Sequence, residues 1–513
     1  MTQTVSLTTA FIDLSTYDEI ESFLYGGRSI NKFRKVIRRS AWFTVIAAQL
    51  NKLGTCGDFE TEMQAMFSRA GDYVRDCWLR VEVPKIESKP GYQARWCKKL
   101  GHNLIEEAYL HFNDLTVNKI TSYHMDFMSA FMGIPGKQEA YSAMIGHVEQ
   151  MYNPHAYYKG IIGKSNMPTT PDDPDARAIG APLPAAVLNI PLPFYFCRDP
   201  ADSIVQAACP FNDIKVTIKF RAWRDLLMVD KLVGAREATA GYAVKMIRDP
   251  DFVTQLQTSL SNIRLQKCEV WAHYAVIPNG DREKISEEQD IDTIVEQYHH
   301  IPPVNFNAGS ERSKGVDLRF SSSVRALFFA LRNSGIKNDW SNYGTHVLRP
   351  SYDQQGINYG YQHENPIQRA VLTYENVDRV NMYGDYFTQV APYYTASTVP
   401  MDPGYHLLPY CNNLGVLQPD GSTNFARLAS VNLNVEASEQ AQIQASAKVD
   451  PTVLDPTATP LPEWDTSKVA YQAFDAASEV EQWTGRSQYD IIITASSLSI
   501  LRMSSGSAGF PVL

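Results

Sequence analysis

The chain has no run of 18 apolar residues, no Asn-x-Ser/Thr triplet, no Cys-x-x-Cys, no His-Glu-x-x-His and no Gly-x-Ser-x-Gly. A membrane-spanning helix needs about 20 mostly apolar residues, so none is expected. The missing triplet removes N-glycosylation, and the missing zinc and nucleophile-elbow motifs remove the hydrolases that carry them. Cysteine is scarce: seven residues, at 56, 77, 97, 197, 209, 268 and 411, an odd and scattered set. Such cysteines are expected as reduced, buried thiols with no disulfide among them. No signal peptide is recognisable either, so the chain is expected to be made and assembled in the cytoplasm without crossing a membrane. Positive charge is also short. Lys and Arg number 47 against 56 Asp and Glu, a net charge of −9. That balance argues against a surface devoted to nucleic acid, and no sequence-specific nucleic-acid binding is expected.

The chemistry-bearing residues that are present do not form a constellation. Gly163–Lys164–Ser165 imitates the end of a phosphate-binding loop. Tyr158 stands where that motif needs its first glycine, and Pro168 stops the helix that should follow. His299–His300 is an adjacent pair, and neighbours along a chain do not converge on one metal unless the backbone bends. His102, His111 and His124 lack cysteine or clustered carboxylate company. Glu106–Glu107 and Asp172–Asp173 are sequence neighbours, whereas glycosidase carboxylates must flank a substrate. No catalytic, cofactor-binding or metal residue is assigned, and no enzyme is expected.

What the chain has in quantity is strand and turn material: 11% aromatics, 29 prolines and 29 glycines in 513 residues. That length exceeds one ordinary core, and the composition suits β-rich domains with many turns. The stretch 190–221 is the pivot. It opens on the apolar run Leu192–Phe196, with Pro191 and Pro193 flanking Leu192, so a strand there should start irregularly or lie near an edge. Arg198, Asp199, Pro200 and Asp202 read as a turn. Ile214–Phe220 then alternates apolar and polar residues, the mark of a half-buried strand.

Residues 1–40 read as an arm. Ser15 or Thr16 could cap a short helix bearing Ile20, Phe23 and Leu24, and Gly26–Gly27 would end it. Residues 28–39 hold six basic residues and no acid, interleaved with Ile30, Phe33, Val36 and Ile37. Further strands are expected in 71–83, 104–112, 268–277, 316–331 and 489–503. Helices are expected in 139–152 and from Asp251 onward, and Asn279–Gly280–Asp281 reads as a turn. The expected division is a first β-domain at 41–226, a connector at 227–264 and a second β-domain at 265–513.

An internal repeat supports two like domains. Ile105–Asp114 matches Ile367–Asn376 at an offset of 262, and Val74–Leu79 matches Val324–Phe329 at an offset of 250. Residues 436–486 break the pattern. They are rich in Ala, Ser, Thr and Pro, they are acidic, and they carry Trp464, Tyr471, Phe474 and Trp483. A long loop that folds back is expected there.

The stretch 190–221 resembles the signature of the major capsid proteins of large icosahedral double-stranded DNA viruses, closest to the iridovirus type. Phe11–Asp18 (FIDLSTYD), Tyr25–Gly27, Gly71–Val74 with Trp78–Leu79, Leu372–Asn376 (LTYEN), Gly404–His406, Gly421–Leu428 (GSTNFARL) and Gly509–Leu513 (GFPVL) match in the family's order. The resemblance implies an all-β fold of two tandem eight-stranded jelly rolls, with short helices in loops. It implies homotrimeric capsomers of six-sided outline tiling an icosahedral shell, hence a structural role in the virion. Expected partners are other copies of the chain, minor capsid proteins and the internal viral membrane. Phe11, Ile12, Arg28, Lys32, Arg34, Lys35, Arg38 and Arg39 are the expected inner-face contacts. Pro456, Pro460 and Trp464 are expected on an outer-surface loop. Strand alternation places that loop with the connections joining the second to third, fourth to fifth and sixth to seventh strands. The basic run exceeds what the resemblance explains. The competing readings are a carbohydrate-binding or enzymatic β-sandwich, or a minor shell or scaffold protein of the same virus type.

Overall fold

The structure is a computed structural model. It describes residues 7–25, 33, 35, 37, 40–54, 57–89, 92–152, 182–233, 245–248, 254, 256–287, 290–334, 338–345, 352–353, 356–357, 365–446, 488–504 and 506–511. The chain divides into two units, Met1–Phe43 and Thr44–Leu513.

In the first unit the expected single helix is two helices, Leu7–Ser15 and Glu19–Tyr25. Ser15 and Thr16 do not cap the second. Their hydroxyls donate back to the carbonyls of Ile12 and Asp13, each at 2.7 Å, and close the first. Asp18 opens the second by accepting from the Glu19 amide at 2.8 Å. Glu19 and Glu21 then sit in the first turn, where the helix dipole favours negative charge.

The second unit begins with β1 Thr44–Gln49, β2 Asn51–Leu53, β3 Glu62–Met66, β4 Tyr73–Val83, β5 Tyr92–Trp96, β6 Ile105–Phe112 and β7 Leu115–Thr121. β8 Ala186–Pro191, β9 Ile204–Val205, β10 Ile214–Phe220, β11 Leu227–Val233, β12 Lys245–Arg248 and β13 Cys268–Val276 follow. After them come β14 Asp290–Phe306, β15 Ser313–Asp317, β16 Ser323–Asn333, β17 Tyr352–Asp353, β18 Gly356–Ile357, β19 Ile367–Tyr374 and β20 Val377–Tyr383. β21 His406–Pro409, β22 Thr423–Asn424, β23 Val431–Ala437, β24 Tyr489–Ser504 and β25 Ser507–Gly509 complete the set.

These strands build two jelly rolls. In the first, the sheet β1-β13-β4-β8, with β9 also on β4, packs on β2-β3-β10-β6-β7. In the second, β14-β24-β16-β21, with β22 on β16 and β25 on β24, packs on β15-β23-β19-β20. The two share one strand order. The sequence repeat falls on equivalent strands, β6 with β19 and β4 with β16. Their irregularities match too. Val117 is skipped between the pairs Leu110–Asn118 and His111–Thr116, and Arg379 between Leu372–Val380 and Thr373–Asp378. Arg75 and Arg325 are skipped alike in β4 and β16. A bulge bends and twists a strand, so the two sandwiches are bent at equivalent places.

Several expectations need correction. Cys268–Val276 does not begin the second jelly roll. It pairs with both β1 and β4 and so completes the first, with Trp271 stacked on Trp78 at 6.5 Å. The boundary at 265 therefore falls inside the first sandwich, and 226 is not its end. Residues 227–264 are not a plain connector, because β11 pairs with both β12 and β5. The helix expected from Asp251 is absent from its described part: Leu256 bridges to Ser88, and Leu260–Asn262 makes a 3-10 turn. Asn279–Gly280–Asp281 starts a helix, Asn279–Glu287, rather than a turn. The expected strand 316–331 is two strands in different sheets, β15 and β16, because the chain crosses between sheets around Ser321–Ser322. The helix expected in 139–152 is split into Gln138–Met144 and Glu149–Tyr152 by Gly146, whose φ of +74° suits glycine.

At the pivot, β10 is Ile214–Phe220 as expected, with Ile214, Val216, Ile218 and Phe220 buried. Leu192–Phe196 is not a strand. β8 lies just before it, at a sheet edge, and ends at Pro191. Pro191 and Pro193 cannot donate to a ladder, so the run leaves the sheet while Leu192, Phe194, Tyr195 and Phe196 stay in the core. In the second roll the antiparallel pairings and the short β14–β15 link fix strand direction. The connection from β23 to β24 leaves from the end shared with β14–β15, β16–β19 and β20–β21. The strand count made from sequence assigned it to the opposite set. Its residues 447–487 lie outside the described residues.

Candidate functional site

The most informative surface lies between the two sandwiches. The edge strand β7 of the first meets the edge strand β14 of the second. Asn118 Nδ2 donates to the Glu296 carbonyl at 2.8 Å, and Gln297 Nε2 donates to the Val117 carbonyl at 3.3 Å. His300 Nε2 lies 3.2 Å from the Lys119 carbonyl. A carbonyl only accepts, so Nε2 carries the proton and Nδ1 is free to accept from Thr494 Oγ1 at 3.2 Å. Burial holds His300 neutral, its pKa pushed down to about 4.

Behind this edge contact a charge crosses the junction. Arg198, from the pivot's turn, pairs with buried Glu296 and donates to the Tyr298 oxygen at 2.9 Å. Tyr298 and Ser496 both donate to the Glu296 carboxylate. His124 packs on the Tyr298 ring at 3.8 Å. Burial, then His300 and Arg198, keep His124 well below its ordinary pKa.

The helix Ser122–Phe131 follows β7 directly and lies on the outer face of β16. Phe127 and Phe131 stack on Phe328 at 5.7 and 5.9 Å. β16 is therefore buried on both faces, its own core on one side and this helix on the other. Asp126 on the same helix is fully buried. It accepts from Ser341 Oγ at 2.7 Å and Tyr343 at 3.0 Å, both from the second sandwich, and contacts His102 Nδ1 at 2.7 Å. Burial alone would raise its pKa. The Lys99 ammonium at 3.7 Å, with the His102 and Ser341 hydrogen bonds, outweighs burial and holds the carboxyl well below the usual range. Lys99 also donates to Tyr405 at 2.8 Å. Trp340 lies between the guanidiniums of Arg221 at 3.8 Å and Arg332 at 4.1 Å. The Ser, His and Asp groups here are sealed in the interior with no room for a substrate, so their role is to lock the sandwiches together.

The matching stretches supply these contacts. Gly404 sits so close to Tyr343 that a Cβ would collide with its carbonyl oxygen, which brings Tyr405 to Lys99. β25 and Phe510, from the C-terminal match, return to the first sandwich, where Ala508 donates to Asn212 at 3.0 Å.

The sequence-assigned surface residues are placed only in part. Phe11 and Ile12 are exposed, at 62% and 58%. Lys35 is exposed. Arg28, Lys32, Arg34, Arg38, Arg39, Pro456, Pro460 and Trp464 lie outside the described residues. His299 and His300 do not converge on a metal: His299 meets Ser322 and Ser497, each at 2.9 Å. Among the described residues no group of three His, Cys, Asp or Glu is placed to hold a metal ion. A shallow hollow of about 280 Å³ on the first sandwich is lined by Glu62, Tyr109, His111 and Lys215 among others and lies open to solvent. Sequence reasoning missed Arg198–Glu296, Asp126 and Trp340, because nothing local marks a polar residue whose partner lies some 100 to 215 positions away.

The family model for the large eukaryotic DNA virus major capsid protein matches residues 281–458, and the model for the major capsid protein N-terminus matches residues 31–275. The major capsid protein of Costelytra zealandica iridescent virus is 32% identical over 518 residues, covering 99% of each chain. The chain belongs to the major capsid protein family of large eukaryotic DNA viruses. The major capsid protein of Simulium iridescent virus is 35% identical over 451 residues, covering 86% of this chain and 88% of its own. Among solved structures, the PBCV-1 virus capsid superposes with a TM-score of 0.64 at 16% identity, covering 94% of this chain and all of that one. The Faustovirus major capsid protein gives 0.59 at 12%, covering 95% and 94%. These likenesses carry the double jelly-roll fold. The capsid subunit is a structural component of the virion shell and not an enzyme. Its two family matches part at 275–281, just where β13 ends the first jelly roll.

Proposed function

We propose that the subunit forms a homotrimer of pseudo-hexagonal outline, and that these capsomers tile the icosahedral shell. The observation that carries this reading is the repetition of one strand order, bulges included, in two sandwiches of a single chain. Three chains then present six nearly equal lobes, and six lobes close a ring that packs in a hexagonal layer. Closure of this kind needs heterologous contacts that return on themselves. The domains in this reading are an arm at 1–40, a first jelly roll ending at Val276 and a second beginning at Asp290. The subunit assembles in the host cytoplasm.

The arm faces the particle interior. Its exposed apolar helices and the basic run Arg28–Arg39 suit minor capsid proteins or the anionic internal membrane. A basic residue near an anionic lipid surface contributes about 1 kcal/mol. Of the expected loop 436–486, Glu436 and Ala437 belong to β23 and Glu439–Ser446 is a helix with Ala441 and Ala445 in the core, so the outer-surface loop is the part beyond it, around Pro456, Pro460 and Trp464, whose acidic, proline-rich composition suits solvent. The test is light scattering on the purified chain followed by electron microscopy. A stable trimer with a six-lobed outline supports the reading, and a monodisperse folded monomer at micromolar concentration overturns it.

A further inference from the structure

The contact between β7 and β14 is built unlike the rest of the fold. The two strands belong to different sheets, and no backbone ladder of the described strands joins them. Side chains bridge them instead: Asn118 to the Glu296 carbonyl, Gln297 to the Val117 carbonyl and His300 to the Lys119 carbonyl. Beside this contact His124 is fully buried, and neither of its ring nitrogens has a hydrogen-bond partner among the described residues. Buried polar atoms are nearly always paired, and an orphaned one is destabilising. A phenylalanine would fill the same place without that cost.

The place rejects a proton on every side. The imidazole is held among the rings of Tyr298 at 3.8 Å, His300 at 5.7 Å and Phe328 at 5.8 Å. It stands in the first turn of the helix Ser122–Phe131, whose dipole already presents positive charge. Arg198 faces it from the pivot's turn and His300 from β14, and both add to the effect of burial. The described carboxylates nearby are already engaged. Glu296 on β14 is taken by Arg198, Tyr298 and Ser496, with Arg325 of β16 at 3.9 Å. Asp126, one turn along the same helix, is taken by His102, Ser341 and Tyr343. His300 is placed alike. Lys119 of β7 and His299 beside it disfavour a charge there, Glu107 of β6 offsets them only in part, and a second proton on Nδ1 would end the bond from Thr494.

We propose that the β7–β14 contact is an acid-operated latch with His124 and His300 as its sensors: near pH 5 both take up protons and the two strand edges part, while the Asp126–Trp340 side of the junction holds. With the edges closed, burial keeps both imidazoles neutral. Once exposed, each titrates near the ordinary histidine value of about 6.5. Above that pH the closed form is at full strength. As pH falls below it, the open form gains protons that the closed form refuses. Relative to pH 7.5, pH 5 favours opening by about 30-fold for each histidine, or roughly 1,000-fold for the two. The other side responds less. Asp126 keeps its charge in mild acid and lies against His102 to balance a proton there, and Trp340, Phe127 and Phe131 do not titrate. One edge of the junction is thus released while the remainder stays made, which a general acid unfolding does not do.

Thiol exchange with a dithiodipyridine on the full-length chain tests this, at pH 7.5 and pH 5.0, with rates normalised to the denatured chain at the same pH. Met128→Cys places a thiol where Met128, 7% exposed, packs beside Arg198. Native Cys97, fully buried beside Asp339 and Arg221, reports the other side in the same molecule. Between the two pH values the introduced thiol is expected to gain roughly 1,000-fold in normalised rate, and Cys97 less than about tenfold. With His124→Phe/His300→Gln added, the gain at the introduced thiol is expected to fall below about tenfold. Equal gains at the two thiols, no gain at either, or a gain that survives the histidine replacements overturns the latch. Should a variant misfold, hydrogen exchange of the wild-type chain decides: protection lost at pH 5.0 over Ser122–Asp126 but kept over 338–345 supports the latch, and any other pattern overturns it.

Discussion

Acid should loosen the capsid subunit through its buried neutral histidines, and His406 allows the size of the effect to be worked out. His406 is fully buried, stacks on Phe329 at 5.0 Å, and places Nε2 3.0 Å from Asn365 Oδ1. Burial pushes its pKa down to about 3. In the unfolded chain the value is about 6.5. Above that pH both states are neutral and the full stability is present. As pH falls below it, the unfolded chain takes up a proton that the folded chain refuses, and stability is lost down to the folded value. At pH 5 the gap spans about 1.5 units, or about 2 kcal/mol for this one residue. That loss corresponds to a fall of roughly 4–8 °C in Tm for a domain of 150–250 residues. His102 and His124, also fully buried and held below their ordinary values by burial, act in the same direction. The assay is thermal unfolding at pH 7.5 and pH 5.0, at one protein concentration, for wild type and His406→Gln. The glutamine amide can still donate to Asn365 but does not titrate. The variant should lose less stability than wild type between the two pH values, by about 2 kcal/mol. Equal losses in both proteins would refute the reasoning.

Three further outcomes are expected. Arg198→Met should destabilise the subunit by roughly 3 kcal/mol, since it removes the hydrogen-bonded partner of buried Glu296 and leaves it only the more distant Arg325 at 3.9 Å, while Arg198→Met/Glu296→Gln should recover much of that loss in urea unfolding; a double variant as unstable as the single one would contradict this. Alkylation under non-reducing denaturation should find seven free thiols, with Cys77 and Cys197, which hydrogen-bond each other, the place where a bridge would show first. Deleting residues 1–39 should leave trimers intact and impair shell assembly, and normal particle yield from that truncation would count against an inward-facing arm.

Much of the sheet architecture is legible in the sequence, because alternation is local. β4, β6, β10 and β24 can each be read from every-second-residue patterning, and the repeat between β6 and β19 correctly identifies equivalent strands. Sheet membership is another matter. β13 looks like any alternating strand, and nothing in its residues says that it inserts between β1 and β4 of the preceding domain. Leu192–Phe196 has strand composition, but its flanking prolines turn it out of the ladder. The functional junction is the least legible part. Asp126 and Arg198 are ordinary polar residues in sequence and gain meaning only from Ser341, Tyr343 and Glu296 far along the chain.

The central claim is that two like jelly rolls in one chain build a six-lobed ring from three copies. Cryo-electron microscopy of the purified full-length subunit tests it most directly. The account predicts a threefold particle with six sandwich-sized lobes. A folded monomer, or a symmetric assembly in which three chains do not close a six-lobed ring, would contradict it.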